Sequence, residues 1–159
     1  TYNGLKPIQN LSGHSLEQYT IHAGKSIPNI WSIGGFTLAE NTAYACEPFV
    51  TTDKGGGFVR NGKIKNIFAL NSRKKTKNDE ADKLLDYIWE NFNTLPFALR
   101  WITKDLEEKK AREILELLVN KKAVQAYPVL IEINEQRVAQ AEHTFIPNEN
   151  GVVITTSVQ

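Results

Sequence analysis

The chain contains no methionine, a single cysteine (Cys46) and no excess of charge of either sign. One cysteine excludes an internal disulfide framework and a cysteine-only zinc site, and it fits a reducing, cytoplasmic setting. Nineteen basic residues against eighteen acidic ones give a formal net charge of +1, so no global field draws nucleic acid, an anionic membrane or an acidic substrate. No stretch approaches the roughly 20 apolar residues that span a bilayer, and residues 1–20 have neither the basic start nor the apolar run of a signal peptide. The expectation is a soluble protein with no membrane partner. The start at Thr1, together with the missing methionine, predicts a fragment whose gene begins upstream.

A chain of 159 residues is long enough to bury a real core. Its first 70 residues alternate short apolar runs with glycine, proline and asparagine, and Tyr19–Ala23, Tyr44–Val50 and Lys63–Leu70 read as strands. The Gly55-Gly56-Gly57 triplet would need a strand before it and a helix after it to cradle a phosphate. Phe58, Val59 and a further strand follow instead, so the triplet reads as a flexible turn.

From Asn78 to Val124 the texture is charged, periodic and free of glycine. Leu84, Leu85, Ile88, Trp89 and Phe92 predict an amphipathic helix. Pro96 ends or restarts it, and Phe97, Leu99, Trp101 and Ile102 lead into a second helical run carrying Ile114, Leu115, Leu117 and Leu118. Beyond Ala126, the runs Tyr127–Ile133, Val138–Ile146 and Val152–Val158, with polar turns between them, predict an antiparallel meander. The order of sheet, helices and sheet predicts one α+β domain with a helical insertion.

The three histidines, His14, His22 and His143, do not form the one-turn helical pair of many zinc proteases, and spacing alone assigns them nothing. Glu47 and Glu142 stand out because each sits in an apolar strand run, and a buried carboxylate needs a cation, a metal or a proton. Strand alternation puts Gln140 and Glu142 on one face and His143 on the other. An imidazole and two carboxylates suit hard divalent ions, and the same description fits many proteins.

Longer motifs are more specific. Asn10-Leu11-Ser12-Gly13-His14-Ser15-Leu16 followed by Tyr19-Thr20-Ile21-His22-Ala23-Gly24-Lys25 resembles the signature around the metal-binding histidine of type II methionine aminopeptidases. Tyr44-Ala45-Cys46-Glu47-Pro48-Phe49 resembles that family's next ligand segment, and Thr94-Leu95-Pro96-Phe97-Ala98-Leu99-Arg100-Trp101 a motif of its helical insertion. Tyr127-Pro128 with Ala139-Gln140-Ala141-Glu142-His143-Thr144 resembles its last ligand strand. Order and approximate spacing match across nearly the whole chain, as the C-terminal portion of such a protein.

The resemblance implies the pita-bread fold, mostly antiparallel sheet. Residues 1–66 and 126–159 would belong to the catalytic domain and 67–125 to a winged-helix-like insertion. It implies cytoplasmic removal of the initiator methionine from nascent polypeptides by a monomeric enzyme with two divalent ions, cobalt, manganese, iron or zinc. The family's site has two aspartates, one histidine and two glutamates. Carried over, His14 and Glu47 would bind one ion and Glu142 would bridge both. His22 would contact the scissile peptide, Glu47 would also shuttle a proton, and Ile21, Phe49 and Tyr127 would line the methionine pocket. Asp53, Asp79, Asp82, Asp86 and Asp105 lie in the wrong contexts for the two aspartates, so the 159 residues are expected to be inactive alone. Arg73-Lys74-Lys75-Thr76-Lys77 is the one local basic cluster, ordinarily a solvated face and alternatively a ribosomal RNA contact. Two other readings stay open: a proline-specific peptidase of the same fold, and a non-catalytic pita-bread homologue that binds RNA or protein.

Overall fold

A computed structural model describes residues 3–104 and 106–157; Asp105 and Val158 therefore lie outside the described residues. The chain divides into two compact units. One comprises the described residues up to Asn61 with those from Leu130 onward, and the other runs from Gly62 to Val129.

The first unit is built from β1 (Leu5–Pro7), β2 (Ser12–Leu16), β3 (Ser26–Pro28), β4 (Ala43–Cys46), β5 (Phe49–Thr52), β9 (Val138–Gln140), β10 (His143–Asn148) and β11 (Gly151–Ile154). The chain leaves it along β6 (Val59–Leu70) and returns along β8 (Val124–Glu132). One sheet has the order β1-β5-β9 and a second the order β11-β10-β4-β2-β3. The pairings within both are antiparallel.

One proline, Pro48, coincides with a paired break in two strands. The run predicted as one strand, Tyr44–Val50, is cut at Glu47-Pro48, because Pro48 has no N–H to give to the ladder. The run Val138–Ile146 is cut in the matching place, at Ala141-Glu142. Before the cut, Cys46 pairs with His143; after it, Phe49 pairs with Gln140. The two strands thus cross together from one sheet to the other, and the Ala141 N–H donates to Pro48 O across the kink. This crossing corrects the expected meander: β9 joins the sheet of β1 and β5, and only β10 and β11 form a terminal hairpin. Tyr19–Ala23 is not a strand either; a lone Glu17–Thr20 bridge closes a turn there, with Tyr19 at φ 58.

The second unit holds its own core. Asn78 caps α1 (Asp79–Phe92), its side chain accepting from the Ala81 N–H at 3.0 Å, and Asp79, Glu80 and Asp82 fill the first turn, where the helix dipole favours negative charge. Ala81, Leu84, Leu85 and Ile88 are buried on one face of α1, as Ala111, Ile114, Leu115 and Leu118 are on α3 (Glu108–Asn120). Phe97 does not start a helix: Phe97–Ala98 forms the short strand β7, paired with Ile67 and Phe68 of β6, before the single turn α2 (Leu99–Ile102). Phe97 is fully buried and stacks on Phe68 and Phe92 at 6.0 and 5.1 Å between centroids. Helices confined to one stretch of a mostly antiparallel chain make the class α+β, as expected. No helix among the described residues is long and apolar enough to cross a membrane.

Candidate metal centre

His14 sits in the middle of β2, where its backbone pairs with Ser26 on one side and Ala45 on the other. Gly13 lets β2 and β4 come this close: a β-carbon there would run into the Ala45 carbonyl. Two residues past Ala45 comes Glu47, at the kink described above. Its Oε1 lies 3.0 Å from His14 Nε2, and both side chains are 14% exposed. On the other side of the imidazole, Nδ1 lies 3.2 Å from the Ser15 carbonyl. A carbonyl only accepts, so Nδ1 is the donor in this contact and Nε2 is left facing Glu47.

Glu142 occupies the partner side of the same kink. Gln140 joins the two carboxylates: its Nε2 donates to Glu47 Oε2 at 3.2 Å and to Glu142 Oε2 at 3.4 Å. Burial and the neighbouring Glu142 charge push the Glu47 carboxyl up, against the opposing pull of the His14 charge and hydrogen bond. His22 packs edge-on to His14 with centroids 4.3 Å apart. Burial first, and His14 second, hold its pKa below the ordinary value, so His22 favours the neutral form.

These side chains surround a cavity of about 380 Å³. Its polar lining is His14, His22, Glu47, Glu142 and Ser12; its apolar lining is Leu11, Leu16, Ile21, Phe49 and Leu130. Of the residues expected at a site, His14, His22, Glu47, Glu142, Ile21 and Phe49 therefore meet here. Tyr127 is half-buried on β8, within the second unit. The expectation that Glu142 is buried is corrected: at the kink it is exposed. His143 points elsewhere, its Nδ1 3.0 Å from Thr156 Oγ1.

One imidazole and two carboxylates are donors of the right kind for a first-row divalent ion. As the side chains stand, no group of three His, Cys, Asp or Glu among the described residues is gathered at ligating separation. Instead the donors bond to one another, His14 to Glu47 and Gln140 to both acids. A proton shared by His14 and Glu47 occupies the position where a cation would meet the same two lone pairs, so the chemistry fits and the coordination shell is short of donors.

Glu132, at the end of β8, carries no signal in the sequence. It is 2% exposed, and its carboxylate accepts from the N–H groups of Gly56 (2.6 Å), Gly57 (3.1 Å), Asn134 (2.8 Å) and Gln136 (3.2 Å). The glycine triplet is therefore clamped, not loose. Gly57, at φ 75, takes a conformation that glycine adopts without strain.

No protein-family model matches the chain. Curated methionine aminopeptidases do. That of Methanocaldococcus jannaschii is 40% identical over 153 residues, 96% of this chain and 50% of its own length. Those of Saccharolobus solfataricus and Thermococcus kodakarensis are 39% and 40% identical, over 96% of this chain and 51% and 52% of their own lengths. A solved structure of a thermophilic Arx1 superposes with a TM-score of 0.78 over 98% of this chain and 43% of its own, at 17% identity. That likeness is one of fold, and the fold is pita-bread. The chain spans about half the length of the curated relatives it matches, and over that half it is similar to methionine aminopeptidases.

Proposed function

We propose that the cavity takes the N-terminal methionine of a newly made polypeptide and that the whole protein removes it by metal-dependent hydrolysis in the cytoplasm. The observation carrying this reading is the meeting of His14, Glu47, Glu142 and His22 in the lining of one cavity that apolar side chains share, in a chain 40% identical to a methionine aminopeptidase. The three candidate ligands come from segments far apart in sequence.

His14 and Glu47 would hold one divalent ion and Glu142 would be shared between that ion and a second, the ions being cobalt, manganese, iron or zinc. Bound there, such ions polarise a carbonyl and lower the pKa of an attacking water. The chain's own residues account for the rest. Glu47, its pKa raised by burial and by the Glu142 charge, is placed to accept and return a proton. Neutral His22 can donate a hydrogen bond to the scissile peptide without bringing a charge of its own. Ile21, Phe49 and Leu130 form the apolar wall that an unbranched thioether side chain packs against. The helical stretch 67–125 is read as the insertion of the type II enzymes, and the complete enzyme as a monomer.

Taken alone, these 159 residues hold three of the five ligand side chains that the resemblance implies, and are proposed to show no appreciable turnover. The test is methionine release from a peptide with a small second residue, in manganese or cobalt, by a chain of the relatives' full length carrying these residues. His14→Ala is expected to reduce the rate by at least about 100-fold; robust turnover by that variant contradicts the reading.

A further inference from the structure

The second unit carries a basic cleft that the peptidase reading does not use. It is lined by Ser72, Lys74, Lys75, Thr76, Lys77, Lys121, Lys122 and Ala123 and encloses about 520 Å³. Two segments far apart in sequence build it, the loop after β6 and the end of α3. They are laced together: the N–H groups of Asn71 and Ser72 both donate to the Ala123 carbonyl, and Asn71 Nδ2 donates to that of Lys122. The lysines are thus presented by a tied pair of loops.

The local acids do not neutralise the cleft. Asp86 takes Lys75 at 2.7 Å, Asp82 accepts the Thr76 N–H and hydroxyl, and Glu80 pairs with Lys110. Asp79, in the first turn of α1, also stands nearby in sequence. Lys74, Lys77, Lys121 and Lys122 make no ion pair among the described residues and are all exposed. Beside them Arg73 lays its guanidinium over the Trp89 ring, 4.7 Å from the centroid. In a chain of net charge +1, four lysines without an ion pair among the described residues therefore line one cleft.

We infer that this cleft binds the sugar–phosphate backbone of RNA. A concave row of unpaired ammonium groups matches a polymer with a charge at every residue, and each contact releases condensed counterions. A membrane surface fits poorly, because no large apolar residue lines the cleft to enter the interface. The choice of RNA over DNA rests on the proposed action on newly made polypeptides, which emerge from an RNA machine; the phosphate chemistry stands without it.

Fluorescence anisotropy of a short labelled single-stranded RNA, titrated with the full chain, tests this. Combined Lys74→Glu, Lys77→Glu, Lys121→Glu and Lys122→Glu should weaken binding by at least about 10-fold and lower the salt slope by roughly 3, at about 0.7 per lost phosphate contact. A charge-matched control, Lys63→Glu, Lys65→Glu, Lys83→Glu and Lys104→Glu, should change it far less. If the first set loses its helical circular dichroism, the four alanine substitutions replace it, with a loss in the same direction. Equal loss in both sets, or no RNA binding by the unaltered chain, overturns the cleft. Equal or tighter binding of DNA of the same sequence overturns RNA as the ligand, as does preferential binding of phosphatidylserine vesicles. Neither cation nor peptide enters this assay, so failure of the peptidase reading is seen separately, as absent methionine release.

Discussion

His14 and Glu47 lie on neighbouring antiparallel segments, and His14 Nε2 stands 3.0 Å from Glu47 Oε1 with the other imidazole nitrogen against a carbonyl. A divalent ion taking up these two donors must displace the proton they share. Binding of manganese should therefore release protons and tighten as pH rises. Calorimetry in two buffers of different ionisation enthalpy checks this: the apparent enthalpies should differ in proportion to proton uptake by the buffer. Identical enthalpies would mean that the pair is not where the ion binds.

Gln140 is the next residue to alter. Its amide gives one donor to each of two carboxylates and so holds like charges side by side. Replacing it by leucine keeps the bulk and removes both hydrogen bonds. Divalent affinity should fall about 10-fold, the lower end of the range for a residue that orients ligands, while the thermal midpoint moves little. Unchanged affinity would reduce Gln140 to a bystander.

Glu132 predicts an acid sensitivity. Burial would raise its pKa, but the donors from Gln136, Asn134, Gly56 and Gly57 outweigh that and hold it below its ordinary value of 4.5. A carboxylate with a depressed folded pKa contributes stability that is fully present above 4.5 and is lost as pH falls through the folded value. Glu132→Gln turns one acceptor oxygen into a donor facing other N–H groups. The variant should melt several degrees below the parent at pH 7, and the gap should narrow as the pH falls through the depressed folded value, below 4.5. A gap independent of pH would show that the charge plays no part.

Gly13 tests the contact that sets β2 against β4. A β-carbon there overlaps the Ala45 carbonyl, and since a backbone atom cannot rotate away, the strands must part. Gly13→Ala should cost about 1–3 kcal/mol, read as a lower urea midpoint with an unchanged slope. It should also weaken divalent binding, because His14 is the next residue. A neutral substitution would mean that the strands are looser than the register requires.

How much of this was legible beforehand depended on whether the signal was local. The amphipathic repeat of Leu84, Leu85 and Ile88 gave α1 directly, because burial of one helix face is written in the spacing. Lys63–Leu70 lies within β6 for a similar reason. The meander failed because β9 and β10 are continuous in sequence and separate in space: their parting at Ala141-Glu142 is imposed by the matching kink at Pro48, which is about 90 positions away in the chain. The same crossing brings Glu47 and Glu142 together. That convergence came from motif resemblance, since no spacing rule links them. Glu132 escaped notice because its four donors are backbone N–H groups, which leave no trace in side-chain identity. Gln140 was seen only as sharing a face with Glu142; its bond to Glu47 required the two segments to be folded.

His14, Glu47 and Glu142 are proposed to take up a divalent cation together. The most direct measurement is calorimetric titration of the 159-residue chain with manganese or cobalt, beside His14→Ala and Glu47→Gln. One weak site in the parent, lost in both variants, is the predicted result. No binding by the parent, two tight sites in it, or a site that survives both substitutions would contradict the account.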